Sequence, residues 1–162
     1  EPIPEIQRGL EERGCLLLGR QASVDQLGGL EKAAEAGYRR IAVTLAGAEA
    51  GDGAAQKLRR RSGGLGVQAV ILAVHTTGIT SEQAEAIAES CDLVWSCASK
   101  AVRDIADKKA LLQIGIAIPV FALTDMGKRL ILNRAQHFQG QLVLHRAGLP
   151  LAPQGKQPEP LI

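Results

Sequence analysis

The feature that most constrains this chain is the alternation of short, wholly apolar runs with segments of helical period. Ile41-Ala42-Val43-Thr44-Leu45 and Val70-Ile71-Leu72-Ala73-Val74 are apolar on both faces, and each is followed by a stretch with apolar residues three and four apart. A strand without polar alternation is buried on both sides, which is the signature of a parallel sheet sandwiched between helices. Right-handed crossovers join such strands.

Along the chain, a short helix is expected over 4–13, with proline in its first turn and Gly14 at its end. The run Cys15-Leu16-Leu17-Leu18 suits a buried strand. A helix over 23–36 closes at Gly37, and a strand over 39–46 leads into a Gly-rich connector over 47–53 and a helix over 54–61. The strand over 67–77 is followed by a helix over 81–90, where Thr80 and Gln83 have the spacing of a capping box. A strand over 92–96, a helix over 99–114, a strand over 118–123 and a helix over 127–138 complete the pattern, and 142–145 adds an edge strand. The expected fold is an α/β three-layer sandwich with a mainly parallel sheet of about five strands, Rossmann-like or flavodoxin-like. It forms one domain over 1–149, and a Pro- and Gln-rich tail occupies 150–162.

Composition narrows the function classes. The chain has 162 residues, 46% of them hydrophobic and 22% charged, enough to bury a core in one domain. No apolar run reaches the roughly 18–20 residues that cross a bilayer, and no signal peptide opens the sequence, which begins without methionine. A net charge of +2 gives no reason to expect nucleic acid or a membrane surface as partner. Aromatic residues make up 2% of the chain, too few for a single-strand stacking platform. The three cysteines, Cys15, Cys91 and Cys97, form no disulfide framework, so a reducing cytoplasm is expected. A homodimer is compatible with such a domain, and nothing in the sequence names a cofactor.

In open parallel sheets, ligands bind beyond the carboxyl ends of the strands. The residues expected there are Thr44 after one strand, His75-Thr76-Thr77-Gly78 after the next, Ser96-Cys97-Ala98-Ser99-Lys100 after the third, and Thr124 to Lys128 after the last. Hydroxyls, two lysines and helix N-termini at one edge make an environment for an anion such as a phosphate or carboxylate. The alternative is that Ser99 and Thr124 simply cap helices. Neither a Walker A sequence nor a dinucleotide fingerprint is present.

Cys97 stands just before a helix start, with Lys100 nearby, and both features lower a thiol pKa. His75, at the end of a neighbouring strand, is placed to form a thiolate–imidazolium pair with it. The competing interpretation is a small buried residue in a turn, which is favoured for Cys15 and Cys91. Cys91 and Cys97 flank one strand and stand about 17 Å apart at ~3.3 Å per residue, so they do not share a metal ion. No metal ligand set is proposed. His137 and His145 read as surface or packing residues, Arg59-Arg60-Arg61 as a solvated helix end, and Trp95 as core.

Ile41-Ala42-Val43-Thr44, His75-Thr76-Thr77-Gly78, Cys97-Ala98-Ser99-Lys100, Leu111-Leu112-Gln113-Ile114-Gly115 and Ile118-Pro119-Val120-Phe121-Ala122-Leu123-Thr124 together resemble the methanogenesis marker protein 8 family. The likeness covers about 1–134. It implies a longer parent protein of which this chain is a C-terminal fragment, and anaerobic cytoplasmic metabolism. The family carries no established activity, so it implies no catalytic residues. Two functions follow as expectations. One is a thiol-dependent enzyme domain that binds an anionic metabolite through Thr76, Thr77, Ser99, Lys100 and Lys128, with Cys97 as nucleophile and His75 as its base. The other is a noncatalytic ligand- or protein-binding accessory domain in cofactor or enzyme maturation.

Overall fold

A computed structural model describes residues 1–142 and 144–145; the tail expected over 150–162 lies outside the described residues. In chain order the elements are α1 (Pro4–Glu12), α2 (Gln26–Glu35), β1 (Arg40–Ala46), α3 (Gly47–Glu49), α4 (Ala55–Gly64), β2 (Gln68–Val74), α5 (Ser81–Ser90), β3 (Leu93–Trp95), α6 (Lys100–Lys109), β4 (Leu112–Ile114), β5 (Val120–Ala122), α7 (Asp125–Gln136) and β6 (Leu144–His145). They form an α/β domain around one six-stranded sheet of order β1-β2-β3-β5-β4-β6.

The sheet is mixed. β1, β2 and β3 are parallel, as the apolar runs require. β5 then pairs antiparallel with both β3 and β4, and β6 antiparallel with β4. β4 therefore points the same way as β3, and the chain returns through β5 in a hairpin that fills the gap between them. The expectation of a mainly parallel sheet fails at this hairpin, because Leu112–Ile114 leaves the helix expected over 99–114 and pairs antiparallel with β5. That helix stops at Lys109, where Ala110 turns extended (φ −65°, ψ 133°).

The two faces of the sheet are covered unequally. Val43, Leu45, Ala69, Ile71, Ala73, Val94 and Phe121 point to one face and share a buried core with Leu30 of α2, Leu58 of α4, Ile87 of α5 and Val102 of α6. On the other face Leu93 and Ala122 are buried beneath Ile131 of α7. Among the described residues, α7 is the helix that contributes to this second core. Towards β1 the same face carries Ala42 and Thr44, both exposed, and Leu72 and Val74, both half-buried.

Local rules explain most helix ends. The Thr80–Gln83 capping box forms as expected, the Gln83 amide donating to the Thr80 hydroxyl and the Thr80 amide to the Gln83 side chain. Asp25 caps α2, so that helix begins three residues later than the periodicity suggests. The Gly-rich stretch over 47–53 is no open connector. A first helical segment from α3 ends at a kink, where Asp52 (φ −81°, ψ 15°) and Gly53 (φ 99°, ψ 1°) leave helical geometry, and the chain re-enters helix in α4.

The run Cys15-Leu16-Leu17-Leu18 does not enter the sheet. It has no strand, and Cys15 and Leu16 are exposed. The Lys32 ammonium of α2 donates to the Leu17 carbonyl, which fixes the run on the outside of the first helical layer. α1, beside it, buries none of its residues.

Candidate functional site

At the carboxyl ends of β2 and β3 the chain leaves the sheet through His75 and Cys97, whose φ angles are 56° and 46°. Left-handed backbone costs a residue with a Cβ about 1–2 kcal/mol, so the surrounding structure must hold it. Three residues do so here. Thr76, fully buried, shares its single Oγ1 hydrogen between the carbonyls of Trp95 (2.7 Å) and Ser96 (2.9 Å), tying the end of β2 to the end of β3. The Ser99 amide donates to the Ser96 carbonyl at 2.9 Å, and Ser99 Oγ accepts from the Val102 amide to cap α6. From the first turn of α6, Arg103 Nη2 donates to the Cys97 carbonyl (3.1 Å) and to the Ala117 carbonyl (2.7 Å) of the β4–β5 hairpin.

Gly47 completes the packing of this edge. A Cβ there would lie 2.8 Å from Thr76 Cα and 3.1 Å from the His75 carbonyl, so only glycine lets the end of β1 come this close. The side chains at the centre are left accessible: His75 is exposed and Cys97 half-buried. The hydrogen bonds at Cys97 run to its carbonyl, from Arg103 and Ser96, and leave the thiol outside the network.

The structure thus brings His75, Thr76, Thr77, Gly78, Ser96, Cys97, Ser99 and Lys100 to one edge. Within that group Thr76, Ser96 and Ser99 are buried scaffold, whereas Thr77, Gly78 and Lys100 are exposed. Lys100 is held by Asp104 at 3.0 Å on the same helix. Thr44 does not join them, because it sits within β1 on the thinly covered face of the sheet. Thr124 and Lys128 are placed at the opposite edge, since β5 runs antiparallel to β3 and ends where β3 begins.

That opposite edge is organised around Asp92, which is 3% exposed. Its Oδ2 accepts from the Ile71 amide (2.7 Å) and from the Arg59 guanidinium, and its Oδ1 from Thr124 Oγ1 at 2.6 Å. Thr124 at the same time accepts from the Gly127 amide and caps α7. Arg59 also donates to the carbonyls of Ser90 and Ala69, so the basic run 59–61 is not wholly a solvated helix end. Burial pushes the thiol of neighbouring Cys91 from 9.0 up to about 12, against a smaller opposing effect of Arg59. Cys91 is thus an inert core thiol.

Arg103 and Arg59 are the residues that sequence reading missed. Both act on backbone carbonyls distant in sequence, and no local spacing announces such a contact. The structure also shows an apolar cleft of about 530 Å³ lined by Ile114, Ile116, Ile118, Val120, Arg134 and Phe138. None of the residues at the His75–Cys97 edge lines it. Among the described residues no three His, Cys, Asp or Glu side chains cluster as metal ligands, and no helix is long and apolar enough to cross a membrane.

A family model described as "Uncharacterized protein conserved in archaea (DUF2099)" matches residues 1–136. Uncharacterized protein MJ0054 of Methanocaldococcus jannaschii is 36% identical over 162 residues, covering 99% of this chain and 54% of its own. The chain therefore spans about half the length of the curated relative it matches. No solved structure matches it.

Proposed function

The chain belongs to the DUF2099 family of uncharacterized proteins conserved in archaea, and on that premise we propose that the β2–β3 edge binds an anionic small metabolite and acts on it through a thiol. One observation carries this: two residues with side chains, His75 and Cys97, hold left-handed backbone at the ends of adjacent strands. Strain of that kind persists where a fold over-determines it, and it collects at functional sites. In this role His75 accepts the Cys97 Sγ proton, leaving a thiolate stabilised by the imidazolium. Exposed Thr77, Gly78 and Lys100 flank the pair as ligand contacts.

The finer family identity we propose is methanogenesis marker protein 8, with a cytoplasmic place in anaerobic metabolism. A noncatalytic accessory role in cofactor or enzyme maturation is the second reading. The commitment of Thr76, Ser96 and Ser99 to scaffold hydrogen bonds favours it.

Site-resolved alkylation of Cys97 with inorganic phosphate or succinate present tests the binding step. Saturable slowing by one of these anions, weakened by His75→Ala, is the expected result. Alkylation indifferent to both would remove the anionic ligand. Anion binding that survives Cys97→Ala, in cells that lose no function, would select the accessory role.

A further inference from the structure

Six strands spaced about 4.8 Å apart make a sheet roughly 24 Å wide, and one helix covers about 10 Å of it. Among the described residues four helices cover the first face, whereas α7 is the one that packs on the second, over β3 and β5. Among those residues no helix lies over the part of that face nearest β1. The register aligns Ala42 with Val70, Thr44 with Leu72 and Ala46 with Val74 on it. On β2, Val70 is buried and half-buried Leu72 packs against the α7 core, so the opening centres on β1, where Ala42 and Thr44 are exposed and Ala46, like Val74 beside it, is half-buried.

Parallel strands are stable with both faces covered, and these were apolar throughout for that reason. The missing cover does not come from α1 or the run after it. Those residues sit outside α2, on the first face, tied there by Lys32.

We propose that the open part of this face, centred on β1, is the seat of the part of the family's chain that these 162 residues do not include. The length permits it, because just under half of the Methanocaldococcus jannaschii relative has no counterpart here. One helix from that region, laid beside α7, would complete a three-layer, Rossmann-like sandwich. Ala42, Thr44 and Ala46 are small enough to let it approach β1 closely. This proposal is independent of the chemistry at Cys97.

The test is thiol labelling in the full-length protein that contains this sequence. Ala42→Cys and Thr44→Cys are introduced singly at exposed positions, with Arg60→Cys on the opposite, outer surface of α4 as the accessible control. Labelling is read site by site by mass spectrometry, so the native cysteines do not interfere, and light scattering reports the oligomeric state. The expected result is labelling at positions 42 and 44 at least tenfold slower than at position 60, in a monomer and at every protein concentration. Labelling as fast as the control would overturn the proposal. Protection that appears only as a dimer forms would overturn it too, in favour of a second copy as the occupant.

Discussion

The two edges of this sheet lie at either end of the three-residue strand β3 and solve opposite problems. Where β3 begins, Asp92 is buried and its carboxylate accepts from Arg59, the Ile71 amide and Thr124, in ordinary backbone geometry. Where β3 ends, Cys97 and its neighbour His75 hold left-handed backbone, and their side chains remain accessible. The first edge uses polar groups to lock three strands and a helix cap together. The second uses them to hold two accessible side chains on left-handed backbone. A hydroxyl-rich, cation-bearing loop is therefore no guide to function until the strand direction at that loop is known.

The largest effect should come from Asp92→Ala, which leaves the Arg59 guanidinium and the Ile71 amide without their acceptor. A loss of about 3 kcal/mol in urea denaturation is expected, and a loss under 1 kcal/mol would remove Asp92 as the anchor of its edge. Thr124→Val deletes one hydrogen bond to that carboxylate and the cap of α7. Its expected cost is about 2 kcal/mol by the same measurement.

The His75–Cys97 edge should respond in the opposite direction. His75→Gly relieves the left-handed backbone and should raise stability by about 0.5–1 kcal/mol while slowing Cys97 alkylation. Destabilisation by this change would mean that the geometry is not strained.

An effect of similar size, confined to alkaline pH, concerns Cys91. Its folded pKa is raised, so the unfolded chain loses this proton first as pH rises. The stability contributed by the buried neutral thiol is complete below pH 9.0 and falls away towards about 12. Relative to Cys91→Ala, the native protein should lose on the order of 1 kcal/mol between pH 9 and 10 in parallel denaturation curves.

Much of this architecture was legible because its causes are local. The capping box at Thr80, the apolar runs of β1 and β2 and the helix over Ser81–Ser90 each follow from neighbours in sequence. The β4–β5 hairpin was not legible. Leu112–Ile114 continues the apolar spacing of α6, and only pairing with β5 makes it a strand. That single error moved Thr124 and Lys128 to the wrong edge. Cys15-Leu16-Leu17-Leu18 failed for a related reason, since apolarity marks burial against something and does not say what. His75, Thr76, Ser96 and Cys97 share an edge as expected, because the ends of parallel neighbours coincide whatever follows them. The left-handed backbone at His75 and Cys97 has no sequence signature, as neither residue is glycine or asparagine.

The central claim is that His75 and Cys97 form a working pair, and the rate of Cys97 alkylation at neutral pH tests it most directly, measured site by site against the exposed Cys15 in the native protein and in His75→Ala. The account predicts that half-buried Cys97 reacts at least tenfold faster than Cys15, and that removing the imidazole abolishes this advantage. A Cys97 that reacts no faster than Cys15 in the native protein, or at the same rate with and without His75, would contradict it.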